Sequence, residues 1–486
     1  DSMITRTKII CTIGPATNSP EMLAKLLDAG MNVARLNFSH GSHETHGQAI
    51  GFLKELREQK RVPLAIMLDT KGPEIRLGNI PQPISVSQGQ KLRLVSSDID
   101  GSAEGGVSLY PKGIFPFVPE GADVLIDDGY IHAVVVSSEA DSLELEFMNS
   151  GLLKSHKSLS IRGVDVALPF MTEKDIADLK FGVEQNMDVV AASFVRYGED
   201  IETMRKCLAD LGNPKMPIIA KIENRLGVEN FSKIAKLADG IMIARGDLGI
   251  ELSVVEVPNL QKMMAKVSRE TGHFCVTATQ MLESMIRNVL PTRAEVSDIA
   301  NAIYDGSSAV MLSGETASGA HPVAAVKIMR SVILETEKNL SHDSFLKLDE
   351  SNSALQVSPY LSAIGLAGIQ IAERADAKAL IVYTESGSSP MFLSKYRPKF
   401  PIIAVTPSTS VYYRLALEWG VYPMLTQESD RAVWRHQACI YGIEQGILSN
   451  YDRILVLSRG ACMEETNNLT LTIVNDILTG SEFPET

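Results

Sequence analysis

Two carboxylates, Glu223 and Asp247, each stand just past a short apolar run: Ile218-Ile219-Ala220 precedes the first and Ile241-Met242-Ile243-Ala244 the second. Such runs read as buried parallel strands, whose C-terminal ends converge on the face where α/β enzymes carry their chemistry. Lys221 shares the first site, and Gly246 beside Asp247 lets backbone approach a ligand. Two hard oxygen ligands with open positions suit Mg²⁺ or Mn²⁺ held jointly with a phosphate or carboxylate substrate. Taken alone, a carboxylate after a strand is more often a helix cap or a surface charge than a metal ligand. The case for a metal therefore rests on what neighbouring strands deliver.

A second run leads into Arg35-Leu36-Asn37-Phe38-Ser39-His40-Gly41 and a third into Asp69-Thr70-Lys71-Gly72-Pro73-Glu74-Ile75-Arg76. Together these exits offer Asn, Ser, Asp and Thr oxygens suited to a hard cation and two arginines suited to bidentate phosphate binding. Ser39 or His40 alone could simply cap the next helix. Later runs exit at Thr277-Ala278-Thr279-Gln280 and Ser313-Gly314-Glu315-Thr316, where a hydroxyl could relay a proton or cap a helix. A rim carrying arginines, two carboxylates, a lysine and a hydroxyl describes metal-assisted phosphoryl transfer.

These residues need a scaffold that brings strand ends together. Strand-like runs at Lys8 to Ile13, Met31 to Ala34, Leu64 to Leu68, Val189 to Ala192, Ile218 to Ala220, Ile241 to Ala244, Phe274 to Thr277 and Ala309 to Leu312 alternate with helix-like stretches. They predict a closed (β/α)₈ TIM barrel, with an open doubly wound sheet as the alternative. Between the third and fourth runs lie more than a hundred residues. This stretch, roughly 73–166, has alternating segments at Lys91 to Val95, Asp123 to Ile126 and Ser142 to Phe147, and reads as an inserted small β-barrel domain able to act as a lid. The barrel then comprises 1–72 and 167–340.

Past a polar stretch, 341–486 forms a C-terminal α/β domain with strands expected at Ala379 to Tyr383, Ile402 to Val405, Ile454 to Leu457 and Leu469 to Val474. Helical spacing in Ser389 to Tyr396, Val411 to Trp419 and Ala432 to Gln445 assigns Trp419 and Trp434 to packing. Thr384-Glu385-Ser386-Gly387-Ser388-Ser389 sits between a strand and a helix, where hydroxyls and backbone N–H groups could cradle a phosphate or serve as ordinary caps.

The 486 residues carry a net charge of -13, which argues against general nucleic-acid binding while leaving room for an anionic substrate in a locally positive cleft. Five cysteines (Cys11, Cys207, Cys275, Cys439, Cys462) have no zinc-like spacing and read as reduced thiols of a cytoplasmic protein. Neither a signal pattern nor a run of membrane-spanning length is expected, and Asp1-Ser2 ahead of Met3 reads as a cloning remnant.

Thr7 through Ala16, Asn32 through Gly41, Leu68 through Arg76, Ala220 through Asn224, Ala244 through Gly249, Thr279 through Met285 and Met311 through Ala317 occur in the order of the pyruvate kinase family, which the chain resembles over essentially its whole length. The resemblance implies phosphoryl transfer from phosphoenolpyruvate to ADP, giving ATP and pyruvate in glycolysis, with Mg²⁺ (or Mn²⁺) and K⁺. It also implies a mobile β domain, a regulatory C-terminal domain and a homotetramer. By motif, Glu223 and Asp247 resemble the Mg²⁺ ligands, and Lys221 the lysine that meets the phosphoryl group and stabilises the enolate. Thr279 resembles the hydroxyl that passes a proton to carbon, and Gly246 a backbone contact to substrate. Asn37, Ser39, Asp69 and Thr70 resemble the K⁺ cage, Arg35 and Arg76 the phosphate clamp, and His40 and Lys157 the nucleotide contacts. Thr384, Ser386, Gly387 and Ser389 resemble a sugar-phosphate effector loop, and Glu74 stands where the family's K⁺-dependent members carry glutamate.

Three positions depart from the pattern. The family's Lys-Gly-x-Asn is Lys157-Ser158-Leu159-Ser160, a commonly polar position is Leu226, and an often basic effector position is Ser388. Two rival functions remain at this stage. A barrel aldolase or lyase would use Lys-x-Glu and a metal, but would not need the insertion or Arg76. A catalytically dead sugar-phosphate sensor would have no reason to keep Arg35, Lys221, Glu223, Asp247 and Thr279 together.

Overall fold

Eight parallel strands close on themselves: Lys8–Ile13, Val33–Asn37, Ala65–Asp69, Val189–Ala192, Ile218–Ile222, Gly240–Ala244, Phe274–Ala278 and Ala309–Leu312. Pairing of Lys8 with Ala309 joins the last strand to the first, which excludes the open sheet. The structure is a computed structural model that describes residues 4–342, 345, 347, 353–355, 357–459 and 466–480; Asp1, Ser2, Met3 and Cys462 lie outside the described residues. Strand alternation divides the apolar residues. Cys11, Ile66, Leu68, Ile218 and Ile241 pack outward against the helices, while Ile10, Val33, Met67, Ile219, Met242 and Phe274 fill the inside.

Helices start where the sequence supplies caps. Ser42 and Thr45 form a reciprocal capping box that opens His43–Lys60, whose Ala49, Ile50, Leu53 and Leu56 recur at helical spacing and are buried against the barrel wall.

Between the third and fourth barrel strands the insertion forms a seven-stranded sheet in which Leu159–Ile161 and Arg76–Leu77 are the two ends of the strand order. The Arg76–Ser158 bridge and the 2.9 Å bond from Leu159 N–H to Ile75 O join those ends, rolling the sheet into a small barrel around its own apolar core. The insertion is tied down where Arg162 donates through Nε and Nη2 to Ile250 O of the large barrel, at 3.0 and 2.7 Å.

The C-terminal domain carries a five-stranded sheet ordered Val421–Leu425, Ile402–Thr406, Ala379–Tyr383, Arg453–Arg459 and Thr466–Ile473, parallel except for the last strand. Val421–Leu425 goes beyond the four expected strands; Pro423 is tolerated because this is an edge strand. The expected helix across Val411 to Trp419 is instead Thr409–Arg414 followed by a single tighter turn, Leu415–Leu417. Ala416 and Leu417 belong to the core inside the large barrel, so this turn plugs the barrel floor. Lys8 Nζ donates to Val421 O at 2.7 Å and Tyr422 Oη to Thr5 O at 2.6 Å, adding polar ties at the same end.

No helix among the described residues is long and apolar enough to cross a membrane. Cys11, Cys207, Cys275 and Cys439 are free thiols.

Candidate active site

The strand ends carry polar residues that the apolar runs alone would have placed outside the strands. Asn37, Asp69 and Lys221 are all within strands, because polar side chains at the barrel mouth can satisfy one another. Lys221 Nζ lies 2.9 Å from Asp69 Oδ1, 2.9 Å from Ser193 Oγ and 3.1 Å from Glu223 Oε1. Burial alone would push this ammonium towards neutrality, but Asp69 and Glu223 outweigh it and hold the pKa above that of an ordinary lysine. The group is a fixed cation.

Asp69 is fully buried, and its other oxygen accepts from Arg35 Nε at 2.6 Å. Burial opposes its ionisation, and the charges of Arg35 and Lys221 overcome that to lower its pKa. Arg35 also donates to Thr12 Oγ1 at 2.8 Å. Asn37 faces Asp69 across the strand pair, and its Oδ1 accepts the Ser39 N–H at 3.0 Å. Thr70 Oγ1 accepts from Ser193 N–H at 3.0 Å. Asn37, Ser39, Asp69 and Thr70 thus gather oxygen donors at two adjacent strand exits.

Ser193 was missed in the sequence. It follows the fourth strand directly and fills the gap between Thr70 and Lys221, so the strand-exit rule applied there would have found it. Gly72, at φ +72°, passes so close that a Cβ would sit 2.9 Å from the Ser193 side chain and 2.7 Å from Phe194, which requires glycine at the hinge of the insertion.

Glu223 accepts the Phe194 N–H at 2.6 Å and shares a hydrogen bond with Asp247. Burial, then the neighbouring Glu223 charge, pushes the Asp247 carboxyl up to about 7, with Lys221 opposing. Two buried carboxyls whose charges oppose one another form a donor set that a divalent cation fits, because the cation removes the repulsion. No group of three or more His, Cys, Asp or Glu converges as a metal shell among the described residues, so most of an octahedral shell would fall to substrate and water. Thr279 Oγ1 accepts the Gly246 N–H at 2.8 Å, joining the sixth and seventh strand exits.

The remaining candidates are set apart from this cluster. Arg76, on the first strand of the insertion, donates Nε to Glu74 Oε2 at 2.7 Å and Nη1 to His156 O at 2.8 Å. Lys157 Nζ pairs with Asp127 at 2.9 Å, and His40 is exposed with its carbonyl accepting from His46 Nε2. A cavity of about 440 Å³ opens between the insertion, through Asp128, Gly129 and Arg162, and the barrel, through Arg245, Gly246 and Gln280. In the C-terminal domain Thr384 Oγ1 accepts the Gly387 N–H at 2.8 Å, Ser386 and Ser388 hydroxyls are 2.9 Å apart, and Ser389 is buried.

A family model described as the pyruvate kinase barrel domain matches residues 4–326, and one described as the pyruvate kinase alpha/beta domain matches residues 362–472. A pyruvate kinase of Chlamydia trachomatis serovar L2 is 73% identical over 479 residues, covering 99% of each chain. One from Geobacillus stearothermophilus is 43% identical over 482 residues, covering 97% of this chain and 81% of the relative. A crystal structure of a pyruvate kinase from Cryptosporidium parvum superposes with a TM-score of 0.91 at 35% identity, covering 97% of this chain and 96% of the other.

Proposed function

The chain belongs to the pyruvate kinase family, and from that premise we propose how its own residues divide the transfer of a phosphoryl group from phosphoenolpyruvate to ADP, which yields ATP and pyruvate. The observation that carries the reading is the Lys221 ammonium, fixed between Asp69, Ser193 and Glu223 beside the Asp247 and Thr279 exits. A buried cation needs no reorganisation to oppose charge developing on the phosphoryl group and then on the enolate. Arg35, braced by Asp69 and Thr12, and Arg76 from the insertion hold the phosphate.

Glu223 and Asp247 would hold the divalent cation, and Gly246 would present backbone to the substrate. A Mg²⁺ or Mn²⁺ held there would supply Lewis-acid polarisation and offset negative charge on the substrate. Asn37, Ser39, Asp69 and Thr70 would hold K⁺, which supplies a further positive charge beside the phosphoryl site. Thr279 gives a proton to the enolate carbon: its oxygen accepts from Gly246, and its own O–H has no acceptor among the described residues. His40, just past a barrel strand, and Lys157, on the insertion, contact the nucleotide.

The same reading divides the chain into a catalytic barrel of 1–72 and 167–340, a lid of 73–166 and a regulatory domain of 341–486, with an apolar core of its own in the insertion and another in the C-terminal domain in support. It places the protein in the cytoplasm as a homotetramer. Thr384, Ser386, Gly387 and Ser389 form the candidate sugar-phosphate loop. Formation of ATP from phosphoenolpyruvate and ADP, measured with and without Mg²⁺, K⁺ and sugar phosphates, tests the assignment. Metal-independent turnover would overturn the cation sites, and an unchanged response to every sugar phosphate would overturn the effector loop.

A further inference from the structure

Arg245 immediately precedes Gly246 and Asp247 at the start of the helix Arg245–Glu251. Its guanidinium donates Nη2 to Thr279 O at 2.8 Å and Nε to Ala278 O at 3.3 Å. It is held in turn by a forked pair to Asp298, at 2.6 Å from Nη1 and 2.7 Å from Nη2, and by Gln261 Oε1 at 3.3 Å. Thr279 and Gln280 are consecutive side-chain-bearing residues with φ of +71° and +56°. Backbone of that kind persists only where its surroundings over-determine it, and the carbonyls of this turn are what Arg245 grips. Residues 245 and 246 therefore hold Thr279 on two sides, guanidinium on carbonyl and amide on hydroxyl.

We propose that Arg245, oriented by Asp298, is a positioning residue for the proton-transfer half of the reaction, keeping Thr279 in the left-handed turn that presents its hydroxyl to the enolate carbon. The inference rests on Thr279 being the proton donor. In that step the electron pair of the enolate C2–C3 bond takes the Thr279 proton, a C3–H bond forms as the O–H bond breaks, and the oxygen recovers a proton from water. Breaking the P–O bond at the enol oxygen does not use that hydroxyl. Loss of Arg245 should therefore separate the two halves of the reaction, whereas general damage to the site would slow both alike.

The experiment compares full-length wild type with Arg245→Met, Arg245→Lys, Asp298→Asn and Thr279→Val. Two rates are read: direct ATP formation from phosphoenolpyruvate and ADP, and deuterium uptake into the pyruvate methyl group in D₂O with ATP and Mg²⁺, followed by NMR. The ratio of exchange to ATP formation should fall at least about tenfold in Arg245→Met, recover in part in Arg245→Lys and fall less in Asp298→Asn. Asp298 is one-third exposed, so its variant reads out even where Arg245→Met folds poorly. An unchanged ratio in Arg245→Met and Asp298→Asn, with exchange abolished in Thr279→Val, would overturn the role of Arg245 alone. Normal exchange in Thr279→Val would overturn the assignment of Thr279 and this inference with it.

Discussion

Lys221 Nζ lies 2.9 Å from the carboxylate of Asp69, which the barrel closure brings from the third strand to the fifth across the exit of the fourth. The pair fixes a positive charge and shares it with Glu223. Lys221→Met keeps the stem and removes the charge. Turnover should fall by about three orders of magnitude or more, the scale of losing a principal electrostatic stabiliser, while Asp69 retains Arg35 and the fold survives. Steady-state kinetics with a circular dichroism melt check this; near-normal turnover would remove Lys221 from the mechanism.

Asp247→Ala should remove most activity and flatten the Mg²⁺ response, because Glu223 and Asp247 are the two carboxylates proposed to fix the ion and each sets its geometry. Asp247 also lies in the first turn of its helix. A purely capping role predicts a loss of about 1 kcal/mol of stability with the Mg²⁺ titration intact. The titration curve of the purified variant separates the two.

Glu74 bears on K⁺. Its carboxylate is committed to Arg76 at 2.7 Å, so that pair adds no net positive charge beside the candidate K⁺ oxygens. The wild type should require K⁺, with Na⁺ or Li⁺ poor substitutes, and Glu74→Lys should keep measurable activity without it, a tethered ammonium supplying the missing charge. Equal activity in K⁺ and in a K⁺-free tetramethylammonium buffer would refute the requirement. A dead variant would refute only the substitution.

Glu418, buried between the large barrel and the C-terminal domain, is pushed up to about 7 by burial, against the pull of Arg414, Arg397 and Lys8. Its Oε1 has no hydrogen-bond partner among the described residues. The folded state thus holds a proton that the unfolded chain releases at ordinary glutamate values. Stability from this group is present at acid pH and is lost as pH rises towards about 7. Thermal melts across pH 4.5 to 7.5 should slope down less in Glu418→Gln than in wild type; parallel slopes would show that Glu418 titrates normally.

Much of this was legible in the sequence because barrel strands are short apolar runs and their exits obey one rule. Glu223, Asp247 and Thr279 stand just past strand ends, as that rule expects. The rule stopped short at Asn37, Asp69 and Lys221, where strand pairing continues onto polar residues that neutralise one another. Ser193 escaped because a lone serine after a strand looks like any cap. The pairing of Arg76 with Glu74 and the contact of Arg162 with Ile250 depend on how the insertion docks, which no local pattern encodes. Val421–Leu425 was hidden by Pro423, which reads as a strand breaker until the strand is known to lie at an edge.

Leu417 lies in the same apolar core as Ile10, Val33 and Phe274, although 143 to 407 residues of chain separate it from them. A nascent polypeptide that has emerged only as far as the eighth strand already has all eight staves of its barrel, yet neither the last outer helix, Pro322–Lys338, nor anything to seal the floor. The interior stays open to water until a further hundred or so residues leave the ribosome. Final consolidation of the catalytic scaffold is thereby delayed to the end of synthesis, and a ribosome-stalled chain ending before Ala416 should be markedly more sensitive to protease in its first three hundred residues than one ending after Val421.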